Sequence, residues 1–196
     1  MPWMMSFSPF LRVTAASLLV CAGCSSGGSA PADAYINSTL GRSPLAGSTG
    51  TCNINEPNSP FLTIGSAGAP VPTGGNYMGT PVTVTCTVRS TGTDSFEVSA
   101  TIVEGQLGQI DLNGTLTSTA GTSQPNVVGT FDALNTGNYN EQDCTVALMA
   151  DGNGKAQISA GRVWGTLTCP TATDSGSGTS GTCYATAEFK LENCTQ

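Results

Sequence analysis

Pro81-Val82-Thr83-Val84-Thr85-Cys86-Thr87-Val88 alternates an apolar side chain with threonine from Val82 onward. A two-residue period puts Val82, Val84, Cys86 and Val88 on one face of an extended chain and Thr83, Thr85 and Thr87 on the other, the pattern of a half-buried β-strand. The pattern then repeats. Phe96, Val98, Ala100 and Ile102 oppose Glu97, Ser99 and Thr101, and Ile110, Leu112, Gly114 and Leu116 oppose Asp111, Asn113, Thr115 and Thr117. Asn-Gly commonly marks a hairpin, but the parity runs through Asn113-Gly114 unbroken, so 106–118 reads as one long strand.

Working outward, 127–133 forms a further strand, and Cys144, Val146 and Leu148 lead into the turn Asp151-Gly152-Asn153-Gly154, from which the chain returns over 155–168. Ile158 and Trp164 share one parity while Val163 and Leu167 share the other, which predicts a bulge between Gly161 and Gly165. Trp164 is read as a core residue, as are Phe96 and Phe189. Cys183, Ala185, Ala187, Phe189 and Leu191 define the last strand. Upstream, 56–79 is rich in proline and glycine and reads as loop, with Phe61-Leu62-Thr63-Ile64 as its one short strand. Seven or more antiparallel strands without a helical period after the first 25 residues predict an all-β fold. The first arrangement is an antiparallel β-sandwich, for which a jelly roll is one connectivity; a partly open barrel is the second.

The chain contains no histidine, which excludes Ser/His/Asp and Cys/His catalysis and nearly every catalytic zinc or copper site. Thirteen acidic residues against six basic ones give a formal charge of −7, so nothing favours nucleic acid as a partner. Neither a cofactor nor a metal is expected.

At the N-terminus, Arg12 precedes an apolar run from Val13 to Val20 that is too short to span a bilayer, and Ser17-Leu18-Leu19-Val20-Cys21-Ala22-Gly23-Cys24 is followed by Ser25-Ser26-Gly27-Gly28. This junction resembles the lipobox of bacterial lipoproteins. The resemblance implies cleavage after Gly23, lipid on Cys24 and a membrane-anchored location in the cell envelope. Ser25 after Cys24, in place of aspartate, implies the outer membrane where the host has one. Cys21 and Cys24 also form a C-x-x-C, but neither the βα setting of a redox pair nor a second zinc-ligand pair accompanies it. The expected organisation is a signal peptide at 1–23, a lipidated cysteine and Ser/Gly/Pro-rich tether at 24–50 and a β-domain at 51–196. Within the tether, Tyr35-Ile36 and Leu40 could instead form an edge strand.

Beyond Cys21 and Cys24, six cysteines remain: Cys52, Cys86, Cys144, Cys169, Cys183 and Cys194. Their even number and wide spacing predict three disulfides in an oxidising compartment. Cys169 and Cys183 flank the Gly/Ser-rich stretch 170–182 and are expected to pair; Cys144 with Cys194 and Cys52 with Cys86 then follow by elimination.

Candidate chemistry is sparse. Asp151-x-Asn153 begins like a calcium loop, but Lys155 and Arg162 stand at later ligand positions, so a plain turn is expected. Two carboxylates for glycoside hydrolysis could be drawn from Asp94, Glu97, Glu104, Asp111 and Asp132, most of them on the outward phase of strands. The reading is therefore a non-enzymatic domain that binds an envelope protein or glycan, or serves a structural role. A polysaccharide hydrolase is the competing class, and aromatic side chains beside two close carboxylates would favour it.

Overall fold

The structure, a computed structural model, describes residues 29–43, 52, 54, 59–105, 107–133, 136–175 and 181–196; the signal segment and Cys24 lie outside the described residues. Twelve strands run β1 (Asp33–Gly41), β2 (Pro60–Ile64), β3 (Val71–Pro72), β4 (Asn76–Tyr77), β5 (Thr80–Ser90), β6 (Ser95–Glu104), β7 (Gly108–Thr117), β8 (Ser123–Ala133), β9 (Gly137–Leu148), β10 (Ile158–Ser159), β11 (Arg162–Asp174) and β12 (Thr182–Glu192). They form one antiparallel sheet in the order β2-β1-β12-β11-β9-β8-β7-β6-β5-β4. From β4 to β12 the path is a meander, in which strands adjacent in sequence lie side by side except that the two-residue β10 pairs with β11 off this path and β9 lies beside β11.

The sheet curls until it is nearly closed. β3 pairs with the start of β1, and just beyond it Gly74 donates its amide to the Val82 carbonyl while the Val82 amide donates to Gly75. On the same side the C-terminal segment lies along β5: the Val88 amide donates to Thr195, and the Thr195 amide to Cys86. Closure of this kind removes long unpaired edges.

The expected alternation decides which residues fill the interior. Val82, Val84, Val88, Val98, Ala100, Ile102, Ile110, Leu112 and Leu116 are all buried, as are Cys183, Ala185, Ala187, Phe189 and Leu191. β7 passes through Asn113-Gly114 without turning, pairing from Gly108 to Thr117 along β6. A void of about 10 Å³ lined by Ile36, Ile102, Ile110, Leu112, Leu167, Phe189 and their neighbours is all that remains at one place in the core. That is room for about one water at most, among carbon atoms that offer it no partner.

Three local readings change. The strand option within the tether is the one the structure shows, and β1 is interior, paired with β12 on one side and β2 on the other. Its period is masked by Ser38, which is buried between Ile36 and Leu40 because its hydroxyl donates to the Leu62 carbonyl and accepts the Leu62 amide. The parity conflict around Trp164 is resolved by a tight turn rather than a bulge: Ile158 pairs with Val163, and Gly161 turns the chain at φ 83°. That turn sends Val163 inward, so Trp164 lies half-buried on the outer face, not in the core.

Candidate functional site

All six cysteines of the β-domain are oxidised, but none of the expected pairings forms: the bonds are Cys52–Cys183, Cys86–Cys194 and Cys144–Cys169. The physical reason is register. The continuous register from Val163↔Leu191 sets Cys169 opposite Ala185, and beyond a bulge at Pro170-Thr171 Ala172 lies opposite Cys183, so the two cysteines of adjacent strands are out of step. On the other side of β11, Thr168 faces Thr145, which sets Cys169 beside Cys144. Glu141 satisfies the bulge, accepting the Thr171 amide at 2.8 Å and the Thr171 hydroxyl at 2.9 Å. Glu141, Cys144 and Cys169 have ligand atoms close enough for a metal. Both sulfurs are committed to the disulfide, so the trio offers no thiolate.

Of the acids considered for hydrolysis, Asp111 and Asp132 are diagonal neighbours across β7 and β8, and the other three are dispersed. Asp94 accepts a hydrogen bond from the Ser118 hydroxyl, and Glu97 pairs with Arg89 on the exposed surface. Asp111 accepts from Thr101 and Gln109, while Asp132 faces Gln109 one step along β8. Glu104 has inward parity and is 2 % exposed, with one carboxylate oxygen lacking any partner; burial pushes its pKa up. Asp151 is a turn residue: its Oδ1 accepts the amides of Asn153 and Lys155, which hold its pKa down.

The richest chemistry lies instead on the outer face of β1, β12 and β11. Tyr35, Lys190 and Trp164 are register partners in one row across these strands, and the Met149 amide donates to the Trp164 carbonyl. Lys190 Nζ stands 5.7 Å from the centroid of the indole, bonds Glu192 at 3.0 Å and donates to the Ala67 carbonyl. Trp164 Nε1 points to Glu188 at 3.4 Å. Burial, then the charge of Glu188 and a hydrogen bond to it, raise the pKa of Tyr35.

One row further along, Asp33 and Glu192 face each other across β1 and β12. Asp33 has a buried oxygen without a partner, and burial followed by Glu192 raises its pKa, against Lys190 and an Asn193 amide that lower it. Sequence reasoning missed this pair because Asp33 fell in the presumed tether and only the register sets it opposite Glu192. Beside the pair an open cleft of about 440 Å³ is lined by Ser29, Gly161, Arg162, Glu192, Asn193 and Gln196, among others. Arg162 and Glu192 also line the small groove that reaches Trp164.

The fold and this face define a disulfide-closed antiparallel β-domain with a polar outer cleft next to one tryptophan. Comparison with family models, curated proteins and solved structures finds no match for this chain.

Proposed function

We propose that this chain is an envelope lipoprotein, anchored through lipid on Cys24, whose β-domain binds or scaffolds rather than catalyses. The observation that carries this reading is the outer face of β5, β6 and β7. Thr83, Thr85, Ser99, Asn113 and Thr115 are exposed there, and the Ser99 hydroxyl donates to Asn113 across the strands. Such a face offers mainly hydroxyls and amides, its carboxylates being engaged, Glu97 by Arg89 and Asp111 by Thr101 and Gln109, and the described core void is too small for a substrate. Three disulfides fit an exported protein. The junction at Ala22-Gly23-Cys24 supports the anchor. Cys24→Ala is the direct test: the variant should leave the membrane fraction or remain unprocessed. A variant that stays wholly with membranes at wild-type mobility overturns the anchor.

A second reading, a polysaccharide hydrolase, is favoured by Asp33 and Glu192. Residues facing each other across antiparallel strands have Cβ atoms about 4.5–5.5 Å apart, near the spacing of a retaining pair of carboxylates. Incubation of residues 25–196 with peptidoglycan and common polysaccharides distinguishes the two. Binding without product supports the first; turnover abolished by Asp33→Asn or Glu192→Gln establishes the second.

A further inference from the structure

Trp164 is the only tryptophan after the first three residues of the chain, and the fold places it outside. A large indole on a sheet exterior, with Lys190 beside its ring and Tyr35, Glu188 and Thr166 on the same face, leaves part of its ring surface near water, a cost that burial inside the sheet would have avoided. Its setting gives it a use. Toward one side lies the cleft, about 440 Å³, in the size range of small-ligand sites and open to solvent. Its side-chain groups are planar and hydrogen-bonding: the Arg162 guanidinium, the Glu192 carboxylate and the Asn193 and Gln196 amides. Arg162 and Glu192 belong to both the cleft and the groove at the indole, so ring and polar groups form one continuous surface.

We propose that Trp164 and this cleft form a subsite for one sugar residue of an uncharged polysaccharide, with the C–H face of the sugar on the indole and its hydroxyls on Arg162, Glu192 and Asn193. This rests on the binding reading above and names its ligand class. Three features select that class. A sugar presents an apolar face and a rim of hydroxyls, which matches one ring beside several planar donors and acceptors. A polyanion is disfavoured because Asp33, Glu188 and Glu192 outnumber Arg162 and Lys190 across the site. A peptide adding to a sheet edge has no edge here, since β11 and β12 each have a neighbour on both sides.

The described strands, the core and all three disulfides lie between residues 29 and 196, so residues 25–196 retain the whole described fold and Trp164 as their sole tryptophan. Its emission is the readout. Tetrasaccharides of glucose, mannose and N-acetylglucosamine are titrated separately. At least one should shift or quench the emission saturably. Arg162→Ala and Glu192→Gln should each weaken that binding roughly ten-fold, as loss of a hydrogen bond to a charged group does, while Asp143→Asn, exposed toward the other end of the β9–β11 ladder from the Trp164 row, leaves it unchanged. Melting curves confirm that the variants fold, and retention on the immobilised sugar tests Trp164→Phe without relying on fluorescence. Silence with all three sugars overturns the subsite. If the same domain then retains an envelope protein, the binding reading survives and its ligand is protein; if it retains no envelope component, both fall.

Discussion

The two halves of this sheet use the same alternation to different ends. In β5, β6 and β7 the pairing runs without a break from Val82↔Glu104 to Ser90↔Phe96 and from Ser95↔Thr117 to Glu104↔Gly108, the exterior is mostly neutral and no disulfide joins these strands to one another. In β9, β11, β12 and β1 the pairing is interrupted at the Pro170-Thr171 bulge, the Cys144–Cys169 bond ties β9 to β11, and the outer face carries Trp164, Tyr35, Lys190 and three carboxylates. Regular pairing is sufficient where the exterior has only to be wet. Cross-links accompany the half whose exterior is chemically specialised, where strand irregularity would otherwise loosen the register.

The largest effect that can break this comparison comes from the closure. Replacing Cys86 and Cys194 together by serine removes a cross-link over 108 residues and should cost about 2–5 kcal/mol in denaturant unfolding. If the loss is below about 0.5 kcal/mol, the backbone bonds of Thr195 to β5 suffice and the regular half closes unaided. Next is Gly129→Ala on β8, where the two halves meet. A Cβ there would lie 2.6 Å from the Cys169 sulfur and 2.9 Å from that of Cys144, so overpacking of about 1–3 kcal/mol is expected. A Gly129→Ala cost that disappears when it is measured in a background with serine at both cysteines would assign the clash to the disulfide itself.

Glu104 sharpens the contrast from inside the regular half, as its buried charge. Its folded pKa is raised, so the folded state holds the proton more tightly than the unfolded chain. Stability is therefore greatest below the unfolded value near 4.5 and falls as pH rises from there through the folded pKa. Glu104→Gln should raise the unfolding midpoint at neutral pH and lose that advantage in acid; an equal shift at both pH values would mean that burial of the charge is not the cause. The smallest effect belongs to the neutral face. Thr85→Ala, exposed in the middle of β5, should change stability by no more than about 0.5 kcal/mol. A larger loss would show that the hydroxyl face supports the fold.

The same contrast explains what could be read from the residues. β5, β6, β7 and β12 follow from parity, because nearly every exterior position is polar and nearly every interior one apolar, Val103 outside and Glu104 inside being exceptions. β1 hid behind Ser38, whose polar side chain finds both partners on Leu62 across the sheet. Pro125, which cannot donate to a ladder, sits where β8 shifts register, and Asn126 adopts φ 63°, so β8 begins earlier than 127 despite the proline. The disulfide count was legible and the pairing was not, since the registers of β11 against β9 and β12 decide which cysteine meets which. The candidate face was least visible of all: Asp33, Tyr35, Trp164 and Lys190 stand up to 157 positions apart in the chain and become neighbours only through the registers of β1, β12 and β11.

The early start of β1 has a mechanical meaning for an anchored protein. With lipid on Cys24, as proposed, only four residues would separate the anchor from Ser29, which already lines the cleft, and the five Cα–Cα steps between them reach at most about 18 Å. Under that proposal the leash would be a short mooring, and the mouth of the cleft would ride close above the head groups instead of sweeping a wide radius. Any tug on that mooring enters the domain through a strand bonded along both sides, so many ladder bonds share the load before one gives way.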